Sequence, residues 1–553
     1  MCSNLCLAPA YFNCAARSVR LLVVVGAVSF SSVRDSAAVD FHVGDGRPHA
    51  SIGSVPWHTL QPGDTVWIHW RESPYREKWV IGREGSAAAP ISVRGVPGPG
   101  GQRPVIDGDS AVTPSPLNYW NEGRSVIKVG GSNVPENSVA RWILIEGLDV
   151  RGARPPNTFT GDNGAVQSYS MNAAAIHVEL GEHITIRDCV IRDSGNGIFV
   201  SSFGPDVSRD ILIENNYIHS NGNVGSNLEH NTYTAAIGIV YRCNRFGPLL
   251  SGAGGNNLKD RSAGLVVRYN WIEGGNRQLD LVDAEDSTII RDDPSYRRTD
   301  VYGNLLIEPP GAGNRQILHY GGDSGAVGDY RKGTLYFYHN TVVSTRTDRT
   351  TLMRLSTNEE HCDARNNIIY VTTPGTELAM LDASGVLDLS HNWMKPGWGA
   401  AFGGLSGTIN NDGTQIQTAW PGFVDETGQN FRLDGSSDCI DMSTALHPAV
   451  LPEGAVTRQY VKHQSDEPRV VGGTASDLGA YEWMPPCAAD LNCDGGRDIN
   501  DVPAFVLALL DAPAYEAAFP GCEASRADIS ADDTIDARDI VGLVQLLLSG
   551  PCP

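Results

Sequence analysis

The feature that most restricts what this chain can fold into is an asparagine that keeps returning in one frame. In Leu265-x-Val267-x-x-Asn270-x-Ile272 two alternating apolar residues, a strand signal, are followed by a polar break and a second apolar segment. The same frame surrounds Asn216, Asn304, Asn340, Asn367 and Asn392, and weaker copies at 184–191 and 143–150 carry Cys189 and Leu148 in the asparagine place. Intervals of 27 residues (189 to 216, 340 to 367) and 25 residues (367 to 392) are single turns of a solenoid. The interval of 54 from 216 to 270 is either two turns or one turn with a large insertion.

Short parallel strands stacked at this period, with an inward asparagine bonding to the next one above at each corner, describe an all-β chain of the right-handed parallel β-helix class. A β-sandwich would instead give turn signals every ~8–12 residues and no such register. Gln61-Pro62-Gly63-Asp64-Thr65-Val66, Pro90-Ile91-Ser92-Val93-Arg94-Gly95 and Pro104-Val105-Ile106-Asp107-Gly108 resemble the opening turns of secreted β-helix proteins. Asn430-Phe431-Arg432-Leu433, Cys439-Ile440-Asp441 and Asp477 to Trp483 resemble their closing segment, so the β-helix is expected over 39–485. The resemblance speaks to fold and only weakly to activity.

Ahead of it, Arg17 and Arg20 precede the apolar run 21–30, and Ser36-Ala37-Ala38 offers a small-residue cleavage site. Residues 1–38 therefore read as a secretory signal, too short for a membrane span, and the protein as secreted or held at a cell surface. Cys189 and Cys362 fall on inward repeat positions and read as buried thiols; Cys487, Cys493, Cys522 and Cys552 crowd the end of the chain and can form two disulfides in any pairing.

The composition changes at 487–553. Asp490, Asn492, Asp494, Asp498 and Asp501 place oxygens at positions 1, 3, 5, 9 and 12 of a loop with Gly495 at position 6, the spacing that gathers oxygens around a hard cation. Asp528, Ser530, Asp532, Asp536 and Asp539 repeat it 38 residues on, with Asp533 in the glycine place, and an apolar helix follows each loop. Two such calcium-loop and helix units resemble a type I dockerin, which implies a small α-helical Ca2+ module and a cohesin-like receptor. Positions 10 and 11 are Ile499-Asn500 and Ala537-Arg538 rather than the family's Ser-Thr, which leaves the identity of that receptor open.

Twelve acidic and three basic residues give 487–553 a charge of −9, and the leader carries +2, so about −15 of the total −22 falls on the β-helix. Nucleic acid is excluded as a partner for such a surface, and an acidic polysaccharide would have to be met by a local basic site. Such a site is offered by His230, Tyr233, Lys259, Arg261 and Arg277, which one-turn stacking can line along one outer cleft. Eliminative cleavage of a uronate needs its carboxylate neutralised, a base for the C5 proton and an acid for the leaving oxygen. Lys259 suits the base, provided its surroundings lower its pKa, Arg261 or Arg277 the carboxylate clamp, and Tyr233 or His230 the acid. Asp280 and Asp283 are read as a further calcium pair. The HN-x-Y, LKDRS and LDLV segments resemble secreted β-helix proteins thought to degrade polysaccharides, whose lyases pair a Lys or Arg base with calcium. A polysaccharide lyase is the favoured reading. A glycoside hydrolase using paired carboxylates such as Asp280 with Asp283 or Asp292 with Asp293, and a non-catalytic polysaccharide-binding protein, stay open beside it.

Overall fold

The computed structural model describes residues 38–137, 139–484, 488–494, 496–519, 522–532 and 534–549. The expected signal segment, Cys487 and Cys552, and Gly495 and Asp533 of the two loops lie outside them.

Three all-parallel sheets of 13, 10 and 10 strands run along the β-helix, and each central coil contributes one strand to each sheet. One coil reads Ala263–Arg268 on the first sheet, Trp271–Glu273 on the second and Leu279–Leu281 on the third. Parallel crossovers of this kind are right-handed. Residues facing inward, from Val43 to Met394, form one continuous apolar core. With both ends of each strand locked to coils above and below, a residue's neighbours are set by register rather than by sequence distance.

The ladder holds the corner between the first and second sheets. The side-chain oxygens of Asn216, Asn244, Asn270, Asn304, Asn340, Asn367, Asn392 and Gln415 each accept from the backbone N–H one coil below, at 2.9–3.1 Å. Asn244 resolves the 54-residue interval into two complete coils. Before Cys189 and before each asparagine rung the chain passes through the left-handed region, at Asp188, Asn215, Cys243, Tyr269, Gly303, His339, Asn366 and His391. That reversal costs ~1–2 kcal/mol for a residue with a Cβ, and the ladder bonds offset it. Asn304→Ala should orphan one amide and two carbonyls. At about 1 kcal/mol or more each, a loss of ~3 kcal/mol in urea unfolding is expected, with no change in the cleft described below.

The presumed closing segment does not end the coil stack. Residues 421–483 lie back along the outside of the second sheet, where Phe423, Phe431, Tyr460 and Leu478 pack on Trp271, Leu305, Ile368 and Trp393. Arg469 and Glu482 form a buried ion pair beneath it, 2.9 Å apart. Cys189 and Cys362 are buried free thiols as expected, joined by Cys243 and Cys439.

Residues 488–549 build an apolar cluster of their own around Phe505, Tyr515 and Leu543. Helices Asp501–Leu510 and Asp539–Leu548 follow the two loops, and a third, Ala512–Ala518, which the sequence pattern did not announce, lies between them. Cys493 is bonded to Cys522.

Candidate active site

On the third sheet the alternation of the strands turns one residue per coil outward. Register places Lys128, His177, Phe199, Tyr233, Lys259, Asp280, His319 and Arg354 in a single file across eight neighbouring strands. Adjacent strands lie ~4.8 Å apart, so Tyr233, Lys259 and Asp280 are immediate neighbours although 26 and 21 residues separate them. In Leu258-Lys259-Asp260-Arg261-Ser262 the period of two sends Lys259 and Arg261 outward together. They are not solvated corner residues: loops on both sides bury them to 9% and 5% exposure.

These loops wall a cleft of about 810 Å3 lined by Phe199, Glu229, His230, Tyr233, Lys259 and Arg277, among others. A second asparagine ladder supports its floor: Asn221 donates to Asn231, and Asn231 to Asn257, the residue just before the Lys259 strand. At Gly255 a Cβ would come within 1.7 Å of the Glu229 carbonyl oxygen, so only glycine lets the chain pass under His230.

All five expected catalytic residues line this cleft, and each has a definite set of partners. Lys259 Nζ stands 2.5 Å from Asp323 and 3.4 Å from Asp280. Arg261 donates through Nε to the Tyr233 hydroxyl at 2.8 Å, and its Nη2 pairs with Glu285 at 2.8 Å and Asp323 at 2.9 Å. Its Nη1 donates to the Asp283 carbonyl. Arg277 spends Nε and Nη2 on Gln316 and points Nη1 towards Asp280 at 3.7 Å. His230 Nδ1 accepts the Asn256 backbone N–H at 2.9 Å, which puts the proton of the neutral ring on Nε2.

The charge states follow from these contacts. Burial pushes the His230 pKa down to about 3, with the Lys259 charge adding to it, so the ring is a neutral hydrogen-bond donor at any working pH. Burial alone would lower Lys259, but the Asp280 and Asp323 carboxylates outweigh it and raise its pKa above the ordinary lysine value. This corrects the expectation that the cleft makes Lys259 a base near neutrality: two carboxylates within 3.4 Å hold it as an ammonium. Burial would raise Asp280, yet the His319 hydrogen bond and the Lys259 charge hold it well below the usual carboxylate range. For Arg277, burial lowers the pKa, Asp280 raises it and the nearby Arg354 charge lowers it again.

The calcium pair expected at Asp280 and Asp283 does not fit. Asp280 accepts from His319 Nδ1 at 2.9 Å and Asn256 Nδ2 at 2.8 Å and is flanked by Lys259 and Arg277. Asp283 accepts from the Asp323 amide at 2.8 Å and the Ser324 hydroxyl, so it fastens the loop that carries Asp323. A dication there would meet cations and occupied lone pairs. Among the described residues no group of three His, Cys, Asp or Glu side chains is arranged to hold a metal. The C-terminal loops likewise offer hard oxygens, at the spacing of a calcium loop, and in the second of them Arg538 pairs with Asp532 and Asp536. In both, the position-12 carboxylate caps the loop from the following helix: Asp501 accepts from the Leu491, Asn492 and Asp498 amides, and Asp539 from those of Ser530 and Asp536. The spacing leads us to expect Asp490, Asn492, Asp494, Asp498 and Asp501 of the first loop, and Asp528, Ser530, Asp532, Asp536 and Asp539 of the second, to hold Ca2+. Calcium should raise the melting temperature of the C-terminal helices, and Asp490→Ala with Asp528→Ala should remove that rise in a circular-dichroism titration.

Sequence reasoning missed His319, Asp323 and Asn256 as members of the site. Glu229 is buried at 3% exposure and its Oε2 has no hydrogen-bond partner. His319 was traceable by laying Leu318-His319-Tyr320 over Leu279-Asp280-Leu281, but an excursion holding helix Thr288–Asp292 stretches that coil to 39 residues.

Fold and cleft together define a parallel β-helix protein with a charged, partly aromatic cleft on one outer face. No protein-family model and no curated protein matches the chain. Among solved structures it is similar to pectate lyase Pel9A, at 11% identity over 81% of this chain and 97% of that one, with a TM-score of 0.41. It is also similar to an alginate lyase from Paenibacillus sp. str. FPU-7 (14% identity, 63% and 93% covered, TM-score 0.31). A third similarity is to the GH136 lacto-N-biosidase from Eubacterium ramulus (12% identity, 69% and 68% covered, TM-score 0.35). No role for any residue is taken from these likenesses.

Proposed function

We propose that this protein is an exported polysaccharide lyase that cleaves an acidic glycan by β-elimination at a uronate. The observation that carries the reading is the convergence of an amine, a guanidinium and a phenol: Lys259 Nζ and the Arg261 guanidinium both lie 5.6 Å from the centroid of the Tyr233 ring. In the proposed reaction unprotonated Lys259 Nζ takes the C5 proton, the C4–O bond breaks as the C4=C5 bond forms, and the Tyr233 hydroxyl gives its proton to the leaving oxygen. Solvent then returns the proton from Lys259 to Tyr233. Arg261 keeps the phenol in place rather than clamping substrate, because every one of its nitrogens is already engaged by protein. Arg277 Nη1 and His230 Nε2–H remain to meet the uronate carboxylate. The test is ultraviolet absorbance of unsaturated products from a panel of polyuronates; none from any of them, with the fold intact, sinks the reading.

One observation favours hydrolysis as a second reading, namely the unpartnered buried carboxylate oxygen of Glu229 in the cleft that the partly exposed Asp323 also lines. New reducing ends without absorbance, lost in Glu229→Gln, would establish it. We also propose that 1–38 directs export and that 487–553 is a dockerin-like Ca2+ module separate from 39–485. A cohesin-like partner for it is supported by the exposure of Leu510, Val541 and Leu548 on its helices. Among the described residues no helix is long and apolar enough to cross a membrane.

A further inference from the structure

Beyond the cleft, the outward file of the third sheet continues from His319 to Arg354. Arg354 is exposed and forms no ion pair with a carboxylate among the described residues. Two more arginines stand at the start of this strand and of its neighbour. The Arg315 carbonyl accepts from the Thr351 amide at 2.8 Å, which fixes its backbone at the edge of the Arg354 strand. Arg349 immediately precedes that strand, Thr350–Leu355. The guanidinium carbons of Arg315 and Arg349 lie 5.4 Å and 4.7 Å from the centroid of the same ring, Phe402. That ring sits on a loop whose backbone extends the third sheet, the Leu381 amide donating to Ala400.

Bringing two guanidiniums to one ring costs repulsion, and the protein only partly relieves it. Arg315 reaches Asp382 at 3.8 Å and Arg349 reaches Glu377 at 3.4 Å, with the two arginine side chains 42% and 53% exposed. The Phe402 face supplies the rest, since an aromatic ring attracts cations and holds them in a fixed orientation. On a surface of strong negative charge this leaves an ordered basic patch with unused donors. The cleft itself has few to spare, as Arg261 and most of Arg277 are occupied by protein.

We propose that Arg354 in the outward file, together with Arg315 and Arg349 held on Phe402 at the start of the same strands, forms a second basic subsite that binds acid groups of the glycan some distance along the chain from the bond at Lys259. This rests on the reading of the cleft as a site for an acidic glycan and names where that glycan's further charges are recognised. Three strand spacings separate Lys259 from Arg354, about 14 Å along the sheet, the reach of a short oligosaccharide laid parallel to the coil axis. A guanidinium fork matches a planar carboxylate and also accepts a sulfate ester.

The test is affinity electrophoresis of the full chain through gels containing polygalacturonate, alginate, a sulfated glycan or neutral dextran. The wild type is expected to be retarded by at least one acidic polymer and not by dextran, with salt weakening the retardation; which polymer it is separates carboxylate from sulfate. Arg349→Gln with Arg354→Gln should weaken that binding about tenfold or more, and the double lysine variant should recover part of it. Melting temperatures matching the wild type show that the variants are folded. Equal retardation of the glutamine variant, retardation by dextran alike, or no retardation by any acidic polymer overturns the proposal. Retardation that depends on the arginines without unsaturated product leaves the subsite standing and removes the lyase. Unsaturated product made by the glutamine variant at the wild-type KM for polymer does the reverse.

Discussion

Lys259→Ala is expected to lower the rate of unsaturated-product formation by about 10²–10⁴-fold, the usual contribution of a positioned proton acceptor. The same assignment fixes a pH dependence. Asp280 and Asp323 raise the Lys259 pKa above its ordinary 10.5, so only a small fraction is unprotonated near neutrality. That fraction grows tenfold with each pH unit until the pKa is reached. kcat/KM should therefore climb steeply through the alkaline range and level off only above the ordinary lysine pKa. Asp323→Asn removes one of the two raising charges and should move the climb to lower pH, whereas a residue that merely fills space would leave the profile in place. If wild-type activity falls as pH rises from 7 to 10 in a protein that stays folded, Lys259 is a binding cation and the base lies elsewhere. His230 cannot replace it without breaking its bond to the Asn256 amide.

The second large effect is expected from a pair that touches no substrate. Asp260 faces inward on the strand that carries Lys259, and with Arg331 it forms an ion pair in which both side chains are 0% exposed, 3.1 Å apart. Asp260 also accepts from the Thr234 and Ser262 hydroxyls at 2.7 Å and the Ser262 amide at 2.8 Å. Arg331 donates to the Val282 and Ser262 carbonyls at 2.9 and 2.7 Å, tying together the two corners that follow the Lys259 and Asp280 strands. Removing one partner leaves a buried charge unpaired, so Arg331→Ala should cost ~3–5 kcal/mol. Replacing both by apolar residues of similar volume, Asp260→Leu with Arg331→Met, should recover most of that loss. A double-mutant cycle by chemical denaturation measures the coupling, and simple additivity of the two changes would show that the pair does not act as one.

The sequence carried the coil period because an inward asparagine can bond in both directions at a corner, accepting from one coil and donating to another. The rung it concealed, Asn244, sits in the same frame as the others, Ile239-x-Tyr241-x-x-Asn244-x-Phe246. Tyr241 is tolerated inside because its hydroxyl meets Thr234 at 2.8 Å. The five cleft residues were legible for the same reason as the coils: stacking turns spacing into adjacency. Their charge states were not, because Lys259 takes its protonation from Asp323, 64 residues away on a loop that no periodicity marks. Asp280 and Asp283 read alike in sequence, three apart in one acidic run, yet one lies in the outward file and the other anchors a loop.

The single file on the third sheet also limits how such a protein can change its preference. Groups in that line can be separated only by whole numbers of strand spacings, ~4.8 Å each, since no point substitution moves one rung relative to the next. Side-chain replacement can alter which chemical group is met at a given rung. The distance between the reacting bond and the Arg354 patch can be altered only by gaining or losing an entire coil, so a switch to a polymer with a different charge interval would be a change of chain length in steps of about one repeat.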